Sequence, residues 1–459
     1  MQFRIFHFVF LSFLYSPSLT LRILNPLHGP KPDCPCSNKD HCKPVTDWND
    51  GLKEIMVITN RSSDYQLWMW NSLTTVLEWN DDINSTLTDE LMCYAHSQGK
   101  KYGFYIKDFP KPSEATKVAA EISFKRADVV AINIVDYLGN CSHAAQHVDQ
   151  IINYTVSSLS VIKKNIEAKL LCVMPWQPPC YQMNCDVSAA LAKQCDAVIF
   201  SPESYNTYCE ETCTAKPTVS FSKITIGITE YISAGFSPSQ LLLGIPWHGY
   251  NYTCQPGDHI DDWTGHFVCN LNKVKDNVTG VETCDLKGSR LKMSIGTVVG
   301  KVPEMGLLDS TFSKTDQSPF RVDQSGSGNQ IQQYMTWFED IGSLLVKYQA
   351  VNKFNIKGTV IFSGDDLTYD HVKTSDEFDN HMWSWMLHTI LSTGDAKKEE
   401  RTSNIAGTVA GVGVGMFLLG CLLGTLISCI IFRRNRKLHA PFKHDQMTEE
   451  YTDDDHNQL

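Results

Sequence analysis

The stretch ADVVAINIVDY, Ala127–Tyr137, decides how this chain is read. Its centre, Val129–Val135, is an apolar, β-branched run broken only by Asn133, the pattern of a parallel strand covered on both faces. Segments with helical spacing flank it: SEATKVAAEISFKRA (Ser113–Ala127) and HVDQIINYTVSSLSVIKKNIEA (His147–Ala168). Runs of the same kind recur before it at Glu54–Thr59, Thr74–Trp79 and Lys100–Ile106. Others follow at Lys169–Trp176, Ala197–Ser201, Leu241–Trp247 and Thr359–Ser363. Eight strands alternating with helices predict an α/β fold, a (β/α)8 TIM barrel, with a doubly wound open sheet as the alternative. The gap between the seventh and eighth strands is far longer than one helix requires and holds Cys254, Cys269 and Cys284. An insertion there is expected to form a lid or wall beside a binding cleft.

The ends of the 459-residue chain predict its topology. Residues 1–20 carry Arg4 and then a short aromatic-rich apolar run, which reads as a secretory signal peptide. Ile405–Phe432 contains no charged residue, and at ~1.5 Å per residue a helix of that length exceeds a ~30 Å hydrocarbon core. The basic cluster RRNRK (Arg433–Lys437) follows at once, placing that side in the cytoplasm. The expected organisation is therefore an ectodomain over 21–395, a linker over 396–404, a transmembrane helix over 405–432 and a tail over 433–459. This is a single-pass type I protein of the plasma membrane or an endolysosomal membrane, with its amino terminus outside or lumenal. Glycines at Gly407, Gly411 and Gly415 repeat every fourth residue and would give the span a flat face for homo- or hetero-association.

Fourteen of the sixteen cysteines precede Gly288, an even number that suits a disulfide framework in an oxidising compartment. CPCSNKDHC (Cys34–Cys42) lacks a matching Cys/His pair at zinc spacing, so disulfides are expected there and no metal. Sequons at Asn60, Asn84, Asn140, Asn153, Asn251 and Asn277 all lie on the lumenal side of the span. A net charge of −11, with no basic stripe, excludes a nucleic-acid partner.

Several segments carry a resemblance. CPCSNKDHC with the Lys-Pro after it, ELMCYAHSQGKK (Glu90–Lys101) and GIPWHGYNYTC (Gly244–Cys254) resemble the chitobiase branch of the family-18 glycoside hydrolases, as does KGTVIFSGDDLTYD (Lys357–Asp370) more weakly. The resemblance covers roughly Cys34 to His388; the chitobiases have no counterpart to Ile405 onward. It implies a TIM barrel that needs no cofactor and carries the fourth-strand signature D-x-x-D-x-D-x-E. There a Glu protonates the glycosidic oxygen while the substrate's own acetamido group attacks. Alternate side chains point into the barrel mouth, which explains the spacing.

This chain departs from that signature in either of two registers. Anchored on Asp128, it places Ala131, Asn133 and Val135 at the acidic positions; anchored on Ile132-Asn133-Ile134, it places Val135 at the Asp and Tyr137 at the Glu. Both leave an inward set of Ala131, Asn133, Val135 and Tyr137 with no carboxylate, and Asp136 has the wrong parity. The family's Met-x-Tyr-Asp at the sixth strand is matched by Phe200-Ser201-Pro202-Glu203, and its eighth-strand Trp by Phe362.

The resemblance without the acid leaves three readings: a tethered pseudoenzyme receptor binding N-acetylglucosamine-containing glycans or a protein partner; an active glycosidase using a rearranged site with Asp136 or Glu203; and a structural ectodomain working through protein contacts. Trp176, Glu203, Trp247, Tyr250 and Phe362, at or just past strand ends, are the carbohydrate-binding candidates. His248 has no positioned partner in the sequence and is expected to be a packed or solvent-facing histidine.

Overall fold

In the computed structural model, described residues run from 33 to 384, apart from 46–47, 49–51, 61–62, 81–88, 136–147, 181–184, 205–212, 257–259, 262–265, 276–281, 301–309, 327–330 and 368–381. The predicted signal peptide, transmembrane helix with its glycines Gly407, Gly411 and Gly415, linker and tail lie outside them. So do Asn84, Asn140, Asn277, Asp136 and Tyr137. Among the described residues no helix is long and apolar enough to cross a membrane.

Eight parallel strands close into a barrel. They are β1 (Glu54–Thr59), β2 (Thr75–Asn80), β3 (Lys101–Ile106), β4 (Val129–Asn133), β5 (Lys169–Met174), β6 (Ala197–Phe200), β7 (Leu241–Pro246) and, after an insertion, β17 (Gly358–Phe362). The circular order is β1-β17-β7-β6-β5-β4-β3-β2, so the barrel holds and the open sheet does not. Each strand lies within about two residues of its sequence reading at either end, as a hydrophobic signal with no sharp boundary allows. The two flanking helices span Ala115–Phe124 and Val148–Asn165.

Strand parity sorts the core into two layers. Met56, Leu77, Tyr105, Ala131, Val173, Ile199, Leu242 and Val360 fill the barrel interior, while their sequence neighbours pack outward on the helices. Gly244 takes an inward position because a Cβ there would stand 2.9 Å from the ring of Phe362.

Between β7 and β17 the chain builds a second sheet. β8 (His248–Thr253), β13 (Arg290–Ser294), β14 (Thr311–Ser313), β15 (Ser318–Ser325) and β16 (Gln332–Trp337) form an antiparallel sheet in the order β13-β8-β16-β15-β14. The pairs β9 (Ile260–Asp261) with β10 (His266–Phe267), and β11 (Lys273–Lys275) with β12 (Glu282–Cys284), make two small hairpins. Tyr250, Tyr252, Phe320, Met335 and Trp337 give the insertion its own core. A fully buried ion pair, Lys347 Nζ to Glu339 Oε2 at 2.5 Å, joins the end of that sheet to the helix Ile341–Lys353; Ser318 and Ser343 complete its hydrogen bonds.

Twelve described cysteines pair as Cys34–Cys42, Cys36–Cys93, Cys172–Cys195, Cys180–Cys185, Cys213–Cys284 and Cys254–Cys269. The Cys34, Cys36 and Cys42 sulfurs, close enough together to suggest a metal knuckle, are thus taken up in disulfides.

Candidate functional site

A cavity of about 650 Å³ opens at the carboxyl ends of the barrel strands. β4 supplies Asn133 and, just beyond it, Val135; both line the cleft, while Ala131 sits one layer deeper in the interior. The Asn133 side-chain oxygen accepts the Val135 N–H at 3.0 Å. Asp128 is at the other end of the strand and belongs to a different assembly: His96 Nε2 lies 2.8 Å from its Oδ2. The structure thus gives β4 an inward row that is amide and apolar over its described length.

Three of the five carbohydrate-binding candidates come together here. Glu203, on a short 3-10 turn after β6, Tyr250 on β8 and Phe362 at the end of β17 all line the cleft. Trp247 and Trp176 do not, and the reason for Trp247 is parity. Leu242, Gly244, Pro246 and His248 are the inward set at the end of β7, so Trp247 points outward with Leu243 and Ile245. It is fully buried, donates from Nε1 to the Tyr348 hydroxyl at 3.0 Å and stacks edgewise on Trp383. Trp176 is buried against the helix Phe221–Ser233, with Lys223 Nζ 4.9 Å above its ring.

His248, expected to be packed or solvent-facing, is instead at the centre of the cleft's polar wall. Its Nε2 lies 2.7 Å from Glu203 Oε1, and its Nδ1 lies 3.5 Å from Asp366 Oδ2. The same Glu203 oxygen accepts the Tyr250 hydroxyl at 2.5 Å. Asp366 also accepts the Ser363 N–H at 2.8 Å, with Lys292 Nζ at 3.9 Å. The partners of His248 come from the turn after β6 and the segment after β17, far from it in sequence, so no local motif announced them. Its parity, one residue on from Trp247, was the signal available.

These contacts fix the ionisation of the wall. Burial pushes the Glu203 carboxyl up, but the His248 charge, the hydrogen bonds from His248 and Tyr250, and the Lys292 charge outweigh it and hold it down at about 2. Burial acts against a charged His248, yet Glu203 and Asp366 raise its pKa above the ordinary imidazole value. Burial, followed by the Glu203 charge, raises the Tyr250 phenol and keeps it a neutral donor. Glu203 is therefore a carboxylate whose Oε1 is saturated and whose Oε2 has no partner among the described residues. It can accept sugar hydroxyls; it is poorly suited to donate a proton near neutral pH.

The opposite wall is aromatic. Trp79 at the end of β2 stacks on Tyr105 of β3 with centroids 4.5 Å apart and planes 15° from parallel, and Phe362 meets Tyr105 edge-on at 6.0 Å. Trp79 and Tyr105 were not picked out from sequence, although both occupy inward positions at strand ends. Of the described sequons, Asn60 lies at the cleft rim, Asn153 is exposed on the helix Val148–Asn165, and Asn251 is half-buried on β8.

A closed parallel barrel with an antiparallel insertion before its last strand is the fold on the page. Comparison with known proteins supports a chitobiase-like family-18 glycoside hydrolase fold. The chain is 23% identical over 381 residues to rat di-N-acetylchitobiase, covering 80% of this chain and 96% of the rat protein. Human di-N-acetylchitobiase is 22% identical over 374 residues, covering 78% and 89% respectively. No family model matches the chain. Among solved structures, a Rhizomucor miehei chitinase superposes with a TM-score of 0.53 at 13% identity, covering 72% of this chain and all of that one. An immunomodulatory active chitinase from Trichuris suis gives 0.51 at 11% identity, covering 74% of this chain and 100% of that one.

Proposed function

We propose that this chain is a membrane-tethered chitobiase-like protein that has lost hydrolysis and binds N-acetylglucosamine-containing glycans in the barrel cleft. The observation that carries this reading is the inward row of β4, where Ala131, Asn133 and Val135 include no carboxylate, so that Val135 stands at the acid position in one register and at the neighbouring Asp position in the other. Glu203 supports it, because a carboxylate held at about 2 lies far from the working range of a general acid. Ground-state binding needs neither acid. It draws on apolar ring faces and hydroxyl hydrogen bonds, and Trp79, Tyr105, Phe362 and Glu203 offer both. The insertion acts as a wall of the site through His248, Tyr250 and Lys292. The tether rests on the uncharged run Ile405–Phe432 and the basic cluster after it.

Calorimetry of the purified ectodomain with N-acetylated chito-oligosaccharides tests the reading. Binding is expected at roughly micromolar to millimolar Kd, as for a shallow site. Trp79→Ala is expected to weaken it about tenfold while the unfolding midpoint stays nearly unchanged, since the ring is only partly buried. Absence of binding in the wild-type protein hands the function to protein contacts.

A further inference from the structure

Asn60 opens the sequon Asn60-Arg61-Ser62 and directly follows β1. On that strand Met56 and Ile58 point inward, and Asn60 continues the row; Ile58 and Asn60 line the cleft. Met56 and Ile58 are buried, whereas Asn60 is exposed at the rim. Its position is fixed rather than loose. The Asn60 N–H donates to Asp365 Oδ2 at 2.5 Å, and the Thr59 hydroxyl donates to Asp365 Oδ1 at 2.9 Å. The rim thus holds an acceptor carboxamide beside Phe362, Asp365 and Asp366. Six disulfides place the same domain in an oxidising compartment, where N-glycosylation takes place.

We propose that Asn60 carries an N-linked glycan whose first two residues, a pair of N-acetylglucosamines, lie across the cleft as a tethered ligand. This rests on the sugar-binding reading above and names the ligand that reaches the site first. The donor is a lipid-linked oligosaccharide diphosphate. Asn60 Nδ2 bonds to the anomeric carbon of the first sugar, the lipid diphosphate leaves with the electron pair of the broken C–O bond, and the amide proton passes to the transferase. A ligand on a short tether has an effective concentration in the millimolar range. It therefore competes with soluble sugar at a site whose Kd lies at or below that range, and lowers the apparent affinity for a free glycan. The cleft then opens only to a ligand that outcompetes the chain's own sugar.

The full chain, expressed through a secretory pathway, tests this with two variants. Asn60→Gln removes the acceptor, while Ser62→Ala abolishes the sequon and keeps Asn60. Glycopeptide mass spectrometry should find Asn60 occupied in the wild-type protein. Both variants should bind soluble N-acetylchitotriose roughly tenfold more tightly than wild type, as loss of a tethered competitor requires. An unmodified Asn60 overturns the proposal, as does an affinity that Ser62→Ala leaves unchanged. If Asn60→Gln alone alters binding, the side chain and not the glycan is responsible, and the proposal fails. If the wild type binds but Ser62→Ala makes no difference, only the tethered ligand is refuted; if no form binds, the sugar-binding reading falls with it.

Discussion

At each end of the barrel a histidine meets a carboxylate at nearly the same distance, and the two pairs do opposite things. Below the amino-terminal ends of the strands, His96 Nε2 lies 2.8 Å from Asp128 Oδ2, with side chains 1% and 2% exposed. At the mouth, His248 Nε2 lies 2.7 Å from Glu203 Oε1, with side chains 4% and 22% exposed. The lower pair is closed on itself. Asp128 also accepts N–H groups from Val45 at 3.0 Å and Tyr102 at 2.9 Å, and the other His96 nitrogen bonds the His41 carbonyl at 2.6 Å. It clamps the disulfide-bonded amino-terminal loop to β3 and β4. In the upper pair one carboxylate oxygen carries both protein bonds, leaving the other for a ligand. A second cavity of about 400 Å³, lined by Trp48, Lys101, Asp128 and Lys169, sits at the lower end, where barrels hold stability rather than chemistry. What separates clamp from site is how many of the carboxylate's lone pairs the protein has already used.

The largest effects should come from breaking the closed end and the outer layer. Asp128→Ala strands a buried His96 and should cost roughly 3–5 kcal/mol in denaturant unfolding. Trp247→Ala should cost a similar ~3–5 kcal/mol by opening a cavity against Tyr348 and Trp383. Neither side chain lines the cleft, so whatever folds should retain wild-type sugar affinity. Loss of binding in a folded Trp247→Ala protein would return that tryptophan to the site.

Next in size is Tyr250→Phe, which removes a charge-assisted donor to Glu203. About 1.5–3 kcal/mol of stability should go with it. The Glu203 pKa should rise from about 2, because one of the bonds holding it down is gone, and carboxylate titration by NMR reads that shift directly.

The two pairs also give a pH signature. Glu203 has a depressed pKa, so its contribution is complete above the ordinary carboxylate value of 4.5 and is lost as pH falls toward about 2. His96 has a raised pKa; burial opposes its charge, but Asp128 and the His41 carbonyl overcome that. Its contribution, like that of His248, is complete below 6.5 and is lost as pH rises through the raised folded value. Stability should therefore peak in the mildly acidic range between these limits. Glu203→Gln should flatten the acid limb and His96→Gln the alkaline one. An alkaline limb unchanged in His96→Gln would show that the lower pair is not linked to folding. Lys292→Ala should do least, changing stability by under about 1 kcal/mol, because its ammonium is 55% exposed and 3.9 Å from Asp366.

The barrel was readable because eight apolar runs at βα spacing have few other ways to bury themselves, and Val129–Val135 shows the pattern at its plainest. The inward row of β4 followed from period two once the resemblance had set its parity, and Ala131, Asn133 and Val135 lie inward while Tyr137 is outside the described residues. The same rule, carried one residue further along β7, would have exchanged Trp247 for His248. Proximity to a strand end was used there without asking which face a residue occupies, and a large tryptophan drew the choice. The His248, Glu203 and Asp366 cluster was beyond local reading, since its members are brought together only by barrel closure, 45 and 118 residues apart in sequence. Trp79 and Tyr105 needed the β2–β3 pairing, which sets Trp79 beside Tyr105, to appear as one surface.

The proposed function of the cleft is binding without cleavage. Its most direct test is to incubate the purified ectodomain with N-acetylchitotriose from about pH 4 to about pH 8 and follow products by chromatography, alongside calorimetry on the same samples. Saturable binding and no product above buffer are expected at every pH, with Glu203→Gln altering affinity alone. Turnover in the wild-type protein that disappears in Glu203→Gln would contradict it and make Glu203 the acid of a working glycosidase.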